Sequence, residues 1–99
     1  MQIIAKRRLK LFWRRHARAE VPLRNWYAIV GKAECQGPAD VKAMFGRTVD
    51  FVEDNRIVFD IAGNEHRLVV HVAYRFKRVL IKFVGTPKEY DKVQAGTVR

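Results

Sequence analysis

The apolar positions near the N-terminus repeat at helical intervals. Leu9, Phe12 and Trp13 share one face of a helical repeat, which predicts a first helix over residues 6–18. The same spacing resumes after Pro22, a residue suited to the first turn of a helix because no backbone donor is needed there. We therefore predict two consecutive helices that pack as an antiparallel hairpin around a common core.

A short strand is predicted before this hairpin and a short helix after it. Residues 2–5 contain two β-branched isoleucines, which favour an extended conformation. Pro38 is placed to begin a third helix, and Gly46 is placed to end it.

The C-terminal half alternates apolar and polar residues with the period of a β-strand. This alternation predicts three consecutive strands, over residues 56–61, 67–76 and 78–83. Two-residue turns are predicted between them, at Gly63-Asn64 and at Lys77-Arg78.

The predicted turns fix which residues face each other across the strands. In the first hairpin the predicted pairs are Phe59 with Leu68, Ile57 with Val70, Asp60 with Arg67, and Arg56 with His71. In the second hairpin they are Phe76 with Val79, Tyr74 with Ile81, Val72 with Phe83, and Ala73 with Lys82. Both hairpins then keep their apolar side chains on one face, as a half-buried sheet requires.

The predicted fold class is α+β, with the N-terminal helical hairpin packed on one face of a twisted antiparallel sheet. The opposite face is predicted to be open and basic, with a single acid, Asp60. Its basic residues are Arg56, Arg67, His71, Arg75, Arg78 and Lys82. The whole chain, residues 1–99, is predicted to be one domain, with residues 94–99 as a flexible tail.

Composition narrows the class of protein. A chain of 99 residues with 48% hydrophobic residues can form one small core and is not of disordered composition. One cysteine and three scattered histidines exclude a disulfide scaffold and a structural zinc site, so we expect no cofactor and no metal. Since no apolar run approaches the roughly 18 residues of a membrane span, and the N-terminus does not resemble a signal peptide, we expect a cytoplasmic protein without a membrane partner.

The net charge of +10 is concentrated at the two ends of the chain. Residues 1–27 contain eight basic residues and one acid, and residues 63–99 contain eight basic residues and three acids. Residues 28–62 contain four basic residues and six acids. Charge of this size favours a polyanionic partner, which leaves RNA, DNA, an anionic membrane and an acidic protein as alternatives.

The predicted basic sheet face favours nucleic-acid binding over a merely solvated surface, because a solvated surface usually mixes charges. Arg67 has a structural alternative, since Asp60 opposite it forms a cross-strand ion pair. His71 is the one histidine predicted on this face and is a candidate for proton transfer. His16 and His66 fall on apolar faces and are predicted to be packing residues, as is Cys35.

Five ordered segments resemble the HigB family of RelE-like toxins from bacterial toxin-antitoxin modules. They are Pro22-Leu-Arg-Asn-Trp-Tyr27, Pro38-Ala-Asp-Val-Lys-Ala43, Asn55-Arg-Ile-Val-Phe-Asp-Ile61, Gly63-Asn-Glu-His-Arg-Leu-Val69 and Phe83-Val-Gly-Thr-Pro-Lys-Glu-Tyr-Asp-Lys92. The resemblance implies a RelE-like fold and an mRNA interferase that cuts mRNA, typically on the translating ribosome. It also implies neutralisation by a HigA-type antitoxin with a helix-turn-helix domain.

The chain departs from the family at one position of the last segment. The family's usual Gly-Thr-His is here Gly85-Thr86-Pro87, so no role of that histidine can be carried over. Proton transfer would then fall to Lys88, Tyr90 or His71. A solvated lysine or tyrosine stays protonated at neutral pH, so we expect weak activity on free RNA unless the ribosome positions the message.

The predicted reaction needs no metal, because the 2′-hydroxyl of RNA can attack the adjacent phosphorus. The enzyme then supplies cations for the charged transition state and groups for proton transfer. The candidate catalytic residues are Arg56, Arg67, His71, Lys82 and Tyr90, and the candidate RNA-binding residues are Arg75, Lys77, Arg78 and Lys88. The alternative is a noncatalytic basic protein that binds RNA or the ribosome. A nucleoid-type DNA binder is disfavoured because no recognition-helix pair is visible.

Overall fold

In the part of the chain that the structure describes, five strands form one sheet, and a helical hairpin covers one of its faces. The computed structural model of the protein describes residues 1–93, so the predicted tail at residues 94–99 lies outside the described residues. The strands are β1 (Gln2–Ile4), β2 (Val49–Val52), β3 (Arg56–Ile61), β4 (His66–Ala73) and β5 (Arg78–Gly85). They lie in the order β1-β5-β4-β3-β2.

Within the described residues, four α-helices accompany the sheet: α1 (Lys6–Arg15), α2 (Glu20–Lys32), α3 (Pro38–Phe45) and α4 (Pro87–Tyr90). The α1 helix ends three residues before the predicted boundary, because a 3-10 turn at Ala17–Ala19 reverses the chain into α2. The α3 helix has the predicted bounds, and Gly46 ends it with a φ of 61°, a conformation that favours glycine. The sequence did not predict α4.

The core lies between the helical hairpin and the sheet. Leu9 of α1 and Leu23 of α2 are fully buried against Leu68 and Val70 of β4, which are also fully buried. Phe59 of β3 takes part in edge-to-face ring contacts with Trp26 and Phe45, whose centroids lie 5.4 and 4.9 Å away. The predicted packing of the hairpin on the apolar face of the sheet is confirmed.

The β3–β4 hairpin has the predicted register. Phe59 pairs with Leu68, Asp60 with Arg67, and Arg56 with His71. Ala62, Gly63 and Asn64 adopt positive φ, at 56°, 61° and 76°, and Glu65 donates its backbone N–H to the Ala62 carbonyl at 3.3 Å. Positive φ at Gly63 and Asn64 is the conformation that the predicted turn requires, and this explains why a short sequence signal was sufficient.

The β4–β5 hairpin has a different register from the predicted one. The last pair is Ala73 with Arg78, and a four-residue connection replaces the predicted two-residue turn. A 3-10 turn at Tyr74–Phe76 is closed by Lys77, which takes the left-handed conformation with φ 56°. All four predicted pairs of this hairpin are therefore wrong, and the observed pairs are Val72 with Val79, Val70 with Ile81, and Val69 with Phe83.

A β-bulge at Lys82 reverses the facing of the end of β5. Val70 pairs with Ile81 and the preceding Val69 pairs with Phe83, so Lys82 is the additional residue. Phe83 consequently lies on the sheet face away from the helices, and Val84 packs against the core. Strict alternation predicts the opposite facing for both residues.

The sheet is mixed, which corrects the prediction of a purely antiparallel one. β1 runs parallel to β5, with Gln2 beside Arg78 and Ile4 beside Leu80. β2 was not predicted, because four residues between a 3-10 turn and a tight turn carry little periodic signal. It adds a second acid, Asp50, to the face away from the helices, where Asp50 pairs with Val58.

The face of the sheet away from the helices, called the outer face below, is closed to water at its centre. Val58 and Val69 pair with each other there and are 2% and 0% exposed. Arg56, His71, Arg67 and Arg78 lie around this buried centre, so the predicted open face is refined to an apolar middle with a charged periphery. The prediction that Arg75 and Lys82 lie on this face is wrong, because Arg75 belongs to the turn and Lys82 is the bulge residue.

Candidate functional site

The outer face separates the predicted catalytic residues into two clusters. Arg56 and His71 face each other across β3 and β4 at one end, and Arg67 lies on β4 near the other end. Four residues along a strand separate Arg67 from His71, a distance of about 13 Å, with the buried Val69 between them. We therefore describe the two ends of the face as separate clusters.

The first cluster, Arg56 with His71, holds a cation and an imidazole side by side. Arg56 begins β3 and is only 8% exposed, while His71 is half-buried. The backbone N–H of Val72 donates to the Asn55 carbonyl at 2.9 Å, which extends the ladder beyond Arg56 and fixes the backbone there. A guanidinium keeps its charge when buried, so this cluster presents a fixed cation beside a group that can exchange protons.

In the second cluster, Arg67 is engaged with its own neighbours. Its Nε lies 3.2 Å from Oδ1 of Asp60, and both side chains are about one-fifth exposed. Its Nη1 donates to the carbonyls of Asn64, at 3.2 Å, and His66, at 3.4 Å. The predicted ion pair with Asp60 is confirmed, and Arg67 stabilises the β3–β4 turn through these contacts.

Tyr90 lies beside Phe83 near this cluster, and a short helix positions it. Thr86 and Glu89 cap α4 reciprocally: the Thr86 hydroxyl accepts from the Glu89 N–H at 3.2 Å, and the Glu89 carboxylate accepts from the Thr86 N–H at 2.9 Å. That backbone hydrogen bond lowers the pKa of Glu89. Pro87 occupies the first helical turn, where its missing N–H costs nothing. Pro87 therefore suits this position structurally.

Two aromatic rings and a glycine lie beside Arg67. The rings of Phe83 and Tyr90 are 6.4 Å apart between centroids and tilted by 47°. Gly85 is the residue paired with Arg67 on β5, and a Cβ atom there would lie 2.6 Å from Cζ of Phe83. The Phe83 ring therefore occupies the space above Gly85. Phe83 lies on this face only because of the bulge at Lys82.

The tip of the β4–β5 hairpin carries an exposed aromatic residue between cations. Phe76 is 66% exposed, and the guanidinium carbons of Arg75 and Arg78 lie 5.8 and 6.0 Å from its ring centroid. The periodicity predicted a core position for Phe76, which is wrong because the residue belongs to the turn. The run of basic residues around Phe76 was the signal that could have identified it.

The lysines predicted to bind or cleave RNA lie outside the two clusters. The Lys77 ammonium donates to the Cys35 carbonyl at 3.2 Å, a contact that ties the hairpin tip to the segment after α2. Lys82 lies on a groove between α1 and β5, and its carbonyl accepts from Nη1 of Arg8 at 2.7 Å. Lys88 is exposed on α4.

The remaining candidates pack as predicted. His66 is 5% exposed, and its ring contacts those of Phe12 and His16, with centroid distances of 5.2 and 6.0 Å. The rings of Phe12 and His16 are stacked at 4.4 Å. Burial lowers the pKa of His66, and its ring nitrogens have no hydrogen-bond partner within residues 1–93. The buried Cys35 donates its thiol to Sδ of Met44 at 3.7 Å, and burial raises its pKa.

Within the described part of the chain, no three His, Cys, Asp or Glu side chains come together as a metal site. None of the helices there has the length and apolar character needed to cross a membrane.

Comparison with protein families matches residues 19–93 to the HigB toxin, a RelE-like toxic component of a toxin-antitoxin system. The match covers both outer-face clusters and the hairpin tip. The chain belongs to the HigB toxin family. This family membership agrees with the RelE-like α+β fold, and the α1 helix of this HigB-family chain precedes the matched segment.

Individual HigB relatives align over nearly the whole chain. An mRNA interferase HigB of Escherichia coli is 24% identical over 94 residues, which cover 94% of this chain and 91% of that protein. The mRNA interferase toxin HigB of a second Escherichia coli strain is 29% identical over 92 residues, covering 92% of this chain and 88% of that protein. An mRNA interferase HigB of Shigella flexneri aligns with the same identity and coverage.

Proposed function

We propose that this chain is an mRNA endoribonuclease of a type II toxin-antitoxin module, and that it inhibits translation by cutting mRNA on the ribosome. The observation that carries the proposal is the Arg56–His71 cluster within the segment that matches the HigB family. The relatives named above as mRNA interferases support the same substrate.

The proposed reaction is transesterification by the RNA itself. The 2′-oxygen forms a bond to phosphorus while the bond from phosphorus to the 5′-oxygen breaks, which leaves a 2′,3′-cyclic phosphate and a 5′-hydroxyl. One group must remove the proton of the 2′-hydroxyl, and one must protonate the leaving oxygen. A cation must stabilise the additional negative charge of the transition state.

We assign this reaction to the first cluster. Arg56 is the proposed cation because it faces His71 across β3 and β4, and a guanidinium can contact two phosphate oxygens at once. His71, directly opposite, is the proposed proton-transfer group. The chemistry assigned to these two residues requires no metal.

The second cluster and the hairpin tip are assigned to positioning the RNA. Phe76 can stack on a base while Arg75 and Arg78 contact phosphates. Tyr90 and Lys88 on α4 provide a further contact, and Tyr90 remains the competing candidate for proton transfer. Arg67 and Lys82 stay candidates for phosphate contacts. We leave Lys77 out of the RNA site, since its ammonium is bonded to Cys35.

The proposed partners are mRNA, the ribosome and a HigA-type antitoxin, and the proposed location is the cytoplasm, where translation occurs. Ribosome dependence is part of this proposal, and the experiment below decides it.

The test is mapping of the 5′ ends of a defined message incubated with purified protein, as free RNA with and without EDTA and, in a magnesium-containing buffer, on translating ribosomes. Cuts that occur only on ribosomes are expected. Cuts on free RNA would contradict ribosome dependence while keeping the nuclease, and free-RNA cuts that EDTA abolishes would contradict the metal-independent reaction.

The alternative is a noncatalytic protein that blocks translation by binding RNA or the ribosome, and the high positive charge supports it. In that case, inhibition survives in Arg56→Ala, His71→Ala and Tyr90→Phe variants that still bind ribosomes, and the message stays intact. A nuclease loses inhibition together with cutting.

A further inference from the structure

The geometry points to a docking site for an extended, acidic segment of the antitoxin along the edge of β5, in the groove beneath α1. This inference rests on the antitoxin partner of the proposed function. It names the surface that receives the partner and the chemistry of the segment that binds.

The backbone of β5 is paired on one side over only part of its length. β1 covers Arg78–Leu80 and the chain then turns into α1. Beside the remainder of β5, residues 81–85, no other strand of residues 1–93 is paired on that side. An extended peptide can add to such an edge through main-chain hydrogen bonds.

One edge carbonyl already has a side-chain partner. Nη1 of Arg8 donates to the Lys82 carbonyl at 2.7 Å. This exposed arginine satisfies an acceptor that a neighbouring strand would otherwise use. An incoming strand can replace that hydrogen bond with its own N–H, which frees the guanidinium to pair with an acidic side chain.

The groove beside this edge combines positive charge with apolar surface. It has a volume of about 360 Å³ and lies between α1 and β5. Arg8, Arg15 and Lys82 line it together with Leu11 and Val84. Leu11 is 48% exposed, so part of the apolar wall faces water. These walls suit a segment that alternates acidic and apolar side chains, as a strand does.

The charge distribution selects one sheet edge over the other. α1 has six basic residues and no acid, and its basic side chains are exposed. At the opposite edge, β2 and the turn after it expose Asp50, Glu53 and Asp54. An acidic segment is attracted to the β5 edge and repelled from the β2 edge. Because RNA has no main-chain amides to pair with a strand, the bare edge favours a peptide over a nucleic acid.

The experiment is hydrogen–deuterium exchange of the full chain, alone and with the purified cognate antitoxin. We expect slower exchange at residues 81–85 in the complex and no change at residues 49–52. Slower exchange at residues 49–52 alone, or at neither edge, would overturn the proposal.

Charge reversal tests the groove. The Arg8→Glu/Arg15→Glu variant is expected to weaken antitoxin binding by about tenfold or more. The matched control, Lys42→Glu/Arg47→Glu, changes the net charge equally on exposed residues outside the groove, and we expect less than about a threefold effect. Leu11→Asp is a second variant, which tests the apolar wall if the double variant folds poorly. If the control weakens antitoxin binding as much as the groove variant does, net charge alone explains the loss and the proposal is overturned.

Cleavage of mRNA by the same variants, without antitoxin, separates this inference from the proposed function. Wild-type cutting by the Arg8→Glu/Arg15→Glu variant is expected, with resistance to neutralisation by antitoxin. If the wild-type protein cuts no message, the proposed function fails, while the exchange experiment still decides the docking surface. If the groove variant loses cutting or ribosome binding and keeps antitoxin binding, the groove is an RNA site and the proposal fails.

Discussion

The two clusters of the outer face hold their arginines in different ways. Arg67 is bound to an acid and two carbonyls, whereas Arg56 is almost completely buried opposite an imidazole. The contacts of Arg67 hold the β3–β4 turn together, so its removal is expected to act on the fold as well as on RNA. We therefore assign the cation of the proposed reaction to Arg56, which lies opposite the imidazole of His71.

The largest expected effect comes from removing the first cluster. Arg56→Ala should lower the rate of mRNA cleavage by about a hundredfold or more, because a cation at the transition state is lost. Arg67→Ala should lower it by less than about tenfold. Since Arg56 is buried, Arg56→Lys serves as the control that keeps the charge, and a thermal melt checks folding. A larger loss from Arg67→Ala than from Arg56→Ala in folded proteins would reverse the assignment of the two clusters.

The next effect concerns the space above Gly85. Gly85→Ala should destabilise the protein by about 1–3 kcal/mol, because the new Cβ would overlap the Phe83 ring. Urea unfolding measures the change. Gly31→Ala is the matched control, since a Cβ at Gly31 meets nothing within 4 Å and alanine suits a helix. If Phe83→Leu/Gly85→Ala is no more stable than Gly85→Ala, the ring is not the cause.

A smaller effect is expected at the hairpin tip. Phe76→Ala should weaken the binding of single-stranded RNA by about tenfold through loss of base stacking. The folding stability should be nearly unchanged, because Phe76 is exposed. Fluorescence anisotropy with a labelled oligonucleotide measures the affinity, and Phe51→Ala, which removes an exposed aromatic residue at the other edge of the sheet, is the control. Equal losses from the two variants would contradict a specific role for the tip.

The smallest expected effect is on the pH dependence of stability, and its source is His66, which precedes Arg67 at the start of β4. Burial lowers the folded-state pKa of His66, so the unfolded chain binds the proton more tightly. Stability should therefore fall as the pH drops below about 6.5, the ordinary histidine value, and should level off below the folded-state pKa. His66→Phe should remove this component of the pH profile. The profile is measured by urea unfolding at several pH values, and an unchanged slope in the variant would exclude His66 as its source.

The register of one hairpin could be predicted from the sequence, and the register of the other could not. The Gly63-Asn64 dipeptide predicts a tight turn, and the position of this turn fixes the register of β3 and β4. At the second hairpin, Lys77 adopts the left-handed conformation without being glycine or asparagine, so no local signal marked the turn. The bulge at Lys82 could not be predicted either, because an extra residue in a strand does not change the types of residue found there.

The site residues divide in the same way. The pairing of Arg56 with His71 and of Arg67 with Asp60 was predictable, since both pairs lie in the hairpin whose turn was recognised. The proximity of Phe83 to Tyr90 was not, because it depends on the bulge and on the short α4 helix. The exposure of Phe76 depends on the unrecognised turn.

The sequence by itself determined the helical hairpin, the central β3–β4 ladder, the positive charge and the family. Each of these depends on composition or on a pattern among residues that are close together in the sequence. Only the tertiary structure decided the mixed sheet, the buried centre of the outer face and the partly uncovered edge of β5. These features arise where segments distant in sequence meet, and their relative positions depend on packing that no single segment encodes.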